Sequence, residues 1–361
     1  MYNDKSTLAI LTGLTDLSTE RRRAFCIVDG QYGSTGKGLA ASWMAEVLRW
    51  NITGVVSNAG PNSGHTFYHR GKKHVLRQLP SSAVYLELEG CHVPVYLNAG
   101  AIVDPDVLIE ECERYHFKPY IHREAAIVDE DDSITERKLV REIGSTGKGT
   151  GAALARKVMR RPFSTMGGCK NAISTNHEFD EGDDYHFYRR LPLEGRFLVE
   201  VSQGFSLGLN QGFYPFTTSR DCGVAQALSD ADFHPEDYSG CLAVYRTFPI
   251  RVAGNSGPCY EDQKEISWAD LKQEPELTTV TNKVRRVFTW SRQQFRESIY
   301  HNRPKIVLIN FMNYLGNNWE AQNELMSWVQ EDYEKVMGTK VPLLLTGWGP
   351  NVEDIFEWTI E

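Results

Sequence analysis

A glycine-rich stretch near the N-terminus has the residue types of a phosphate-binding loop. It runs from Asp29 to Gly38, between an apolar run at 24–28 and a helical pattern at 39–45. Backbone N–H groups at the start of a helix bind phosphate in such a strand–turn–helix context. The spacing differs from that of an ordinary P-loop, because position 31 holds glutamine instead of the first glycine and Lys37 is followed by glycine instead of Ser or Thr. A glycine-rich turn with an exposed lysine is the alternative interpretation.

A second loop, 57–66, carries His65 directly after Gly64. An imidazole in a flexible loop can approach a phosphoryl group and stabilise its charge during transfer. A histidine that merely belongs to a loop is the alternative interpretation.

The hexapeptide Gly-Ser-Thr-Gly-Lys-Gly occurs twice, at 33–38 and at 144–149. The second copy precedes a helical pattern with four cations, Arg156, Lys157, Arg160 and Arg161. Hydroxyls, glycines and cations together suit a monophosphate, although a solvated basic helix explains the helix equally well. Because the flanking residues differ, we interpret the copies as two separate phosphate-holding loops rather than as a duplication.

Three further stretches combine polar side chains with turn residues. Gln203 and Thr218 each follow a turn and can face a ligand. The loop 246–258 sets arginines among Gly, Ser and Asn, which suits bidentate capture of a carboxylate. Two cations of 282–287 can reach a ligand, although that stretch is also typical of a surface strand.

Short apolar runs separated by helical patterns must position these loops. The runs lie at 24–28, 54–56, 93–97, 196–201, 241–245, 305–309 and 341–345. They predict an α/β fold with a largely parallel central sheet, in which ligands bind beyond the carboxyl ends of the strands. We interpret 1–23 as a peripheral N-terminal leader and 24–361 as a single elaborated domain, because no convincing linker interrupts it.

Composition narrows the function classes. A formal net charge of -8 argues against an electrostatically driven nucleic-acid partner. Seven scattered cysteines without a Cys-x-x-Cys pair fit a reducing compartment rather than a disulfide framework or a zinc site. No run approaches eighteen apolar residues, so no membrane partner is expected. We expect a cytoplasmic protein.

Taken in order, these loops resemble those of adenylosuccinate synthetase, a family that joins aspartate to a purine nucleotide at C6 and hydrolyses a nucleoside triphosphate. The resemblance extends from about residue 24 to 350 and rests on five motifs, at 33–38, 62–66, 145–149, 214–219 and 251–258. It implies the P-loop-like α/β fold of that family, Mg²⁺ as a cofactor, and a homodimer with a shared active site.

The resemblance also assigns roles. His65 would be the general acid of phosphoryl transfer, with Lys37 and Ser34 beside it, and Arg160 would reach the partner's nucleotide. The monophosphate nucleotide would be bound by Asn62, Ser145, Thr146, Arg160, Gln203 and Thr218. The donor would be bound by Gly33, Thr35, Gly36, Lys37, Gly38, Thr66, Asn310, Met312, Gly347, Trp348 and Pro350. Aspartate would be bound by Lys148, Thr247 and Arg251, and the metal by Ser34 and Gly64.

The first loop departs from the family in one decisive residue. The family has an aspartate that takes the N1 proton of inosinate, and this chain has Ser34. A serine cannot be a general base near pH 7 unaided. The pattern is similar to that of phage-encoded 2-aminoadenylosuccinate synthetases, which take dGMP on the route to diaminopurine DNA. We therefore expect ligation of L-aspartate to dGMP; an ordinary synthetase using IMP and a catalytically silent nucleotide-binding regulator are the alternatives.

The donor segment departs as well. The family reads the guanine of GTP with Lys-Leu-Asp, and the segment aligned with it here is Asn310-Phe311-Met312. Met312 cannot accept hydrogen bonds from guanine, so discrimination for it would be lost. We expect ATP or dATP as the donor, with GTP less favoured, and we expect Trp348 to stack on the donor base.

Overall fold

The computed structural model describes residues 21–58, 60–168, 193–278 and 283–359. In chain order, the strands within these ranges are β1 (Arg22–Asp29), β2 (Gly54–Ser57), β3 (His65–His69), β4 (Lys72–Leu76), β5 (Val95–Leu97), β6 (Ile102–Val103), β7 (Tyr120–Ile121), β8 (Ala126–Ile127), β9 (Gly195–Glu200), β10 (Tyr238–Arg246), β11 (Ile250–Arg251), β12 (Glu265–Ile266), β13 (Arg286–Phe288), β14 (Ile306–Asn310), β15 (Leu343–Gly347) and β16 (Ile355–Glu357).

The α-helices in the same ranges lie mainly between successive strands. They are α1 (Lys37–Leu48), α2 (Ser81–Leu88), α3 (Pro105–Tyr115), α4 (Glu130–Thr135), α5 (Arg137–Ile143), α6 (Thr150–Val158), α7 (Val224–Asp230), α8 (Arg292–Asn302) and α9 (Trp319–Met337). None of these helices is long and apolar enough to cross a membrane.

A nine-stranded sheet forms the centre of the fold, in the order β16-β15-β14-β10-β1-β9-β2-β5-β7. Every pairing in it is parallel except that of β15 with β16. Because parallel strands end at the same edge of a sheet, the residues that follow them converge there. The segments that follow β1, β2, β9, β10 and β14 therefore meet at one edge.

Side chains of β1 alternate between two hydrophobic cores. Phe25 and Ile27 pack into the core that includes helices α1, α2 and α3, whereas Cys26 and Val28 pack into the core that includes α7, α8 and α9. Apolar side chains on both faces are what a central strand of a doubly covered sheet requires. Strand β1 thus ends at Asp29 in the middle of the molecule.

All seven apolar runs predicted as strands belong to this sheet, which confirms the predicted α/β class. Strand β1 begins at Arg22, so the last two residues assigned to the leader belong to the sheet. Arg22 donates to Asp237 at 2.9 Å and lies over the ring of Phe233. Residues 1–20 lie outside the described ranges. The edge strands β7 and β16 were not predicted, because two or three residues carry no readable apolar pattern.

Candidate active site

One cavity lies at the carboxyl edge of the sheet and brings together predicted site residues from several loops. Those that line it are Gly33, Ser34, Lys37, Asn62, Gly64, His65, Ser145, Thr146, Gln203, Thr218 and Arg251. They come from loops up to about two hundred residues apart in the chain, so only the sheet brings them together. The first phosphate loop, the histidine loop and the second Gly-Ser-Thr loop share one site.

The buried carboxylate of Asp29 organises the first loop. Its oxygens accept hydrogen bonds from the backbone N–H of Gln31 at 2.9 Å and of Gly33 at 3.2 Å, and from the Thr35 hydroxyl at 2.6 Å. The ammonium of Lys37 lies 3.1 Å from the same carboxylate and donates to the Gln203 carbonyl at 2.7 Å. Lys37 is only 7% exposed, so the alternative of a turn with an exposed lysine is wrong.

Helix α1 begins directly after this loop without a side-chain cap on its first N–H groups. Such a helix start attracts anions. Gly36 has φ of 94°, and a Cβ on it would lie 2.2 Å from the Asn310 amide nitrogen. A Cβ on Gly38 would lie 2.5 Å from the Thr66 carbonyl oxygen. Because both positions are glycine, the loop can pack directly on Asn310 and on strand β3.

His65 opens β3 and has one ring nitrogen near an acid and the other without a partner. Nδ1 lies 3.7 Å from Oε2 of Glu200, the buried last residue of β9. Nε2 is buried and makes no hydrogen bond within the described residues. A buried imidazole nitrogen without a partner, beside a phosphate loop, is suited to donate to a phosphoryl oxygen.

Two buried carboxylates hold the segment that follows the β3–β4 hairpin. Glu200 accepts from the backbone N–H of Ser81 at 3.0 Å and of Ser82 at 2.7 Å. Glu111 accepts from the three N–H groups of residues 77–79 at 2.6 to 3.1 Å, while burial raises its pKa. The two carboxylates therefore hold both ends of the segment 77–82, which directly follows the strand paired with His65.

The second Gly-Ser-Thr loop, 144–149, contributes its hydroxyl residues to the cavity but not its lysine. Thr146 lines the cavity, and the Ser145 hydroxyl accepts from the Gly147 N–H at 3.2 Å. Lys148, predicted to bind aspartate, is half-buried and does not line the cavity. Arg160 is exposed beyond the end of α6 and also lies away from the cavity of its own chain.

Arg251 lines the cavity and donates two hydrogen bonds to backbone carbonyls. Nη1 donates to the Pro258 carbonyl at 2.7 Å and Nη2 to the Phe216 carbonyl at 3.2 Å, while Nε is buried without a partner. Burial lowers the pKa of Arg251, and the nearby guanidinium of Arg286 acts in the same direction. Each terminal nitrogen of Arg251 thus donates one hydrogen bond within the protein, whereas Nε has no partner among the described residues.

Cations missed as site residues also line the cavity: Arg77, Lys283 and Arg285. Burial lowers the pKa of Arg285, and Glu276 opposes that shift. The sequence indicated two cations in 282–287 but could not separate this placement from a surface strand.

Two hydroxyls predicted to bind ligands are committed to the protein. The Thr35 side chain is fully buried and donates to Asp29, and the Thr247 hydroxyl donates to the Phe311 carbonyl at 2.9 Å. The protons of both hydroxyls are therefore used within the protein. Both residues support the loops on which they lie.

The donor segment after β14 differs from the prediction. Asn310 donates to the Thr35 carbonyl at 3.1 Å and accepts from the Phe311 N–H at 3.0 Å, so both ends of its amide are used. Met312 is fully buried in the core that includes α9, and it cannot face a donor base. The next residue, Asn313, is exposed. In the opposite turn, half-buried Trp348 donates to the Thr346 hydroxyl at 3.1 Å.

The model of one protein family, described as adenylosuccinate synthetase, matches residues 26–181 and 181–317. The chain belongs to the adenylosuccinate synthetase family. This confirms the resemblance carried by the five ordered motifs.

Within this family, the chain is similar to phage enzymes. It is 38% identical over 308 residues to the N6-succino-2-amino-2'-deoxyadenylate synthase of Vibrio phage phiVC8, covering 80% of this chain and 86% of that protein. It is 34% identical to the enzyme of the same name from Salmonella phage PMBT28, covering 92% and 97%. The solved structure of cyanophage S-2L succinoaminodeoxyadenylate synthetase, bound to dGMP and dATP, matches with a TM-score of 0.81 at 29% identity, covering 94% and 96%.

The buried Met312 shifts the match to the synthetase Lys-Leu-Asp motif by one residue. The middle residue of that motif is apolar, and the apolar residue buried in the core here is Met312. Aligning these two residues gives Phe311-Met312-Asn313 as the matching segment. Met312 is buried and the next residue, Asn313, is exposed, so we propose Asn313 and not Met312 as the residue that stands where the family has its guanine-reading aspartate.

Breaking the Asp29–Lys37 contact should damage both fold and site. For Asp29→Asn we expect a loss of about 3 kcal/mol in the free energy of unfolding, because the Lys37 ammonium stays buried without a countercharge. Urea denaturation measures this loss. Adding Lys37→Met should recover part of the stability without restoring binding of a nucleoside triphosphate. Full stability in Asp29→Asn alone would contradict the role given to this carboxylate.

Proposed function

We propose that this protein joins L-aspartate to dGMP at C6, driven by ATP or dATP, and forms 2-amino-2'-deoxy-N6-succinyladenylate. The observation that carries the proposal is Ser34, an exposed hydroxyl at the cavity where the family has its aspartate. The names of the phage relatives and the dGMP and dATP in the cyanophage structure support the same substrates.

The first step is phosphoryl transfer to the purine. Oxygen O6 of dGMP attacks the γ-phosphorus as the N1 proton leaves, the bond to the nucleoside diphosphate breaks, and a 6-phosphoryl nucleotide forms. Lys37 and the uncapped start of α1 hold negative charge on the donor, and Nε2 of His65 donates to the transferring group. The protein acts mainly by positioning and charge stabilisation.

The second step forms the C–N bond. The amine of aspartate attacks C6, and the C6–O6 bond breaks so that O6 leaves as part of inorganic phosphate. The Nε of Arg251 and the cations Lys283 and Arg285 provide a positive site for the two carboxylates of aspartate.

Ser34 changes how the purine is held. A hydroxyl can donate or accept a hydrogen bond, whereas an ionised carboxylate only accepts. It is also smaller, which leaves space for the 2-amino group at the C2 edge of guanine. Since a serine is not a base near pH 7, the N1 proton must pass to a group other than Ser34.

The nucleotide monophosphate is assigned to the cavity residues Asn62, Ser145, Thr146, Gln203 and Thr218. These residues offer hydroxyl and amide groups that suit phosphate, sugar and base. Arg160 is assigned to the cavity of the partner subunit in a homodimer, which its exposed position outside its own cavity supports.

The site fits a magnesium ion held largely by the substrates. No cluster of three His, Cys, Asp or Glu side chains capable of holding a metal lies within the described ranges, and both Asp29 oxygens are engaged. Mg²⁺ commonly takes few protein ligands and completes its shell with phosphates and water. The Ser34 hydroxyl and the Gly64 carbonyl would hold it, and the ion would neutralise charge on the donor phosphates.

Substrate choice tests the proposal directly. Incubating the protein with aspartate, Mg²⁺ and ATP should release phosphate with dGMP and little or none with IMP. The variant Ser34→Asp should shift the ratio of the two rates toward IMP by about tenfold or more, because the carboxylate restores the base and fills the C2 side. Turnover of IMP with none of dGMP would indicate an ordinary synthetase. Phosphate release with neither nucleotide would indicate a silent regulator.

Donor choice should depend on Asn313. The variant Asn313→Asp restores an acceptor for the N1–H and 2-amino groups of guanine, so kcat/KM for GTP relative to ATP should rise by about tenfold. Initial rates with ATP, dATP and GTP at fixed dGMP measure the change. Asn317→Asp, at an exposed asparagine four residues on, is the matched control and should leave the ratio unchanged. An unchanged ratio in Asn313→Asp would remove this residue from the donor site.

A shared site predicts rescue in trans. Arg160→Leu and Lys37→Gln should each be inactive, and a mixture that exchanges subunits should regain about a quarter of wild-type activity, because half of the dimers are hybrid and each hybrid has one intact site. Arg161→Leu, at the exposed neighbour, should keep its activity. No rescue in a mixture shown to contain hybrid dimers would contradict the role of Arg160.

A further inference from the structure

Two consecutive carbonyl groups of the first phosphate loop are held by side chains from neighbouring strand ends. The Ser34 carbonyl accepts from Nη1 of Arg246 at 3.1 Å, and the Thr35 carbonyl accepts from Nδ2 of Asn310 at 3.1 Å. Arg246 is the last residue of β10 and Asn310 the last residue of β14. Both donors approach the loop from the side of the sheet.

Peptide geometry converts these contacts into an orientation of N–H groups. In a planar trans peptide, the C=O of one residue and the N–H of the next point in opposite directions. Fixing the Ser34 carbonyl on Arg246 therefore turns the Thr35 N–H away from Arg246, and fixing the Thr35 carbonyl turns the Gly36 N–H away from Asn310. Ser34 with φ of 57° and Gly36 with φ of 94° give the left-handed geometry found in anion-binding loops.

Arg246 is itself held rigidly. Its side chain is fully buried, its guanidinium pairs with both carboxylate oxygens of Glu276, and it lies 4.0 Å from the centre of the Phe311 ring. The Tyr314 hydroxyl donates to Glu276 at 3.0 Å. The Glu276 carbonyl accepts from the N–H of Arg285 at 2.8 Å, which joins this pair to a cation of the cavity.

We propose that Arg246, oriented by Glu276, is a positioning residue that holds the Ser34–Thr35 peptide and thereby sets the conformation of the loop that binds the phosphates of the donor triphosphate. Arg246 does not line the cavity, so it acts through the backbone of the loop and not by contact with a substrate. Glu276 supplies the countercharge that keeps the guanidinium in the orientation that reaches Ser34. The inference rests on the proposed function for the identity of the donor.

The variant Glu276→Gln tests this without emptying the core, because the Glu276 side chain is 28% exposed. The amide keeps the shape but loses the charge and one of the two acceptors. We expect binding of a non-hydrolysable ATP analogue to weaken about tenfold, with dGMP affinity within twofold of wild type. Glu274→Gln, two residues earlier and exposed, is the matched control and should bind both nucleotides like wild type. Isothermal titration measures both affinities.

A second variant keeps the test decisive. Arg246→Lys retains the positive charge but cannot reach Ser34 and both Glu276 oxygens together. It should therefore weaken binding of the ATP analogue at least as much as Glu276→Gln does. It takes the place of Glu276→Gln if that variant does not fold. Unchanged affinity for the ATP analogue in a folded variant would overturn the proposal, as would an equal loss of affinity for dGMP. Lack of dGMP turnover by the wild type would contradict the proposed function alone, since analogue binding decides the positioning role.

Discussion

The site depends on one buried carboxylate at the end of the central strand. Asp29 is fully buried, and it binds two loop N–H groups, the Thr35 hydroxyl and the Lys37 ammonium. An ionised carboxylate is stable there only because each of these partners donates to it. The loop conformation and the buried position of Lys37 are therefore two consequences of the same contact.

Polar residues at the ends of other strands of the parallel sheet hold the remaining backbone around the cavity. Three other strands of the sheet end in a polar residue that binds a neighbouring segment: Glu200 holds the start of α2 beside His65, Arg246 holds Ser34, and Asn310 holds Thr35. These residues set the backbone around the cavity and leave Ser34, His65 and Thr146 to face it. The conformation of the phosphate loop is held by Asp29, Arg246 and Asn310, and the Ser34 side chain is left at the cavity.

The sequence predicted the central sheet and the loops that meet at one cavity, because apolar runs and glycine-rich loops are local patterns. It could not decide whether a given side chain binds a ligand or another part of the protein. Thr35, Thr247 and Met312 have suitable types and positions for ligand contacts, yet tertiary neighbours bind or bury them. Arg246 and Arg251 look alike in sequence, and only the fold buries one behind the loop and turns the other to the cavity. The ion pair with Glu276 spans thirty residues and has no local signal.

The fate of the O6 oxygen tests the central claim most directly. If the protein phosphorylates dGMP on O6 and then replaces that group with the aspartate amine, dGMP labelled with ¹⁸O at position 6 must pass its label to phosphate. We predict that mass spectrometry of the released phosphate will find one ¹⁸O per molecule, equal in amount to the succinylated product. Unlabelled phosphate, or phosphate released without the succinylated product, would contradict ligation through a 6-phosphoryl intermediate.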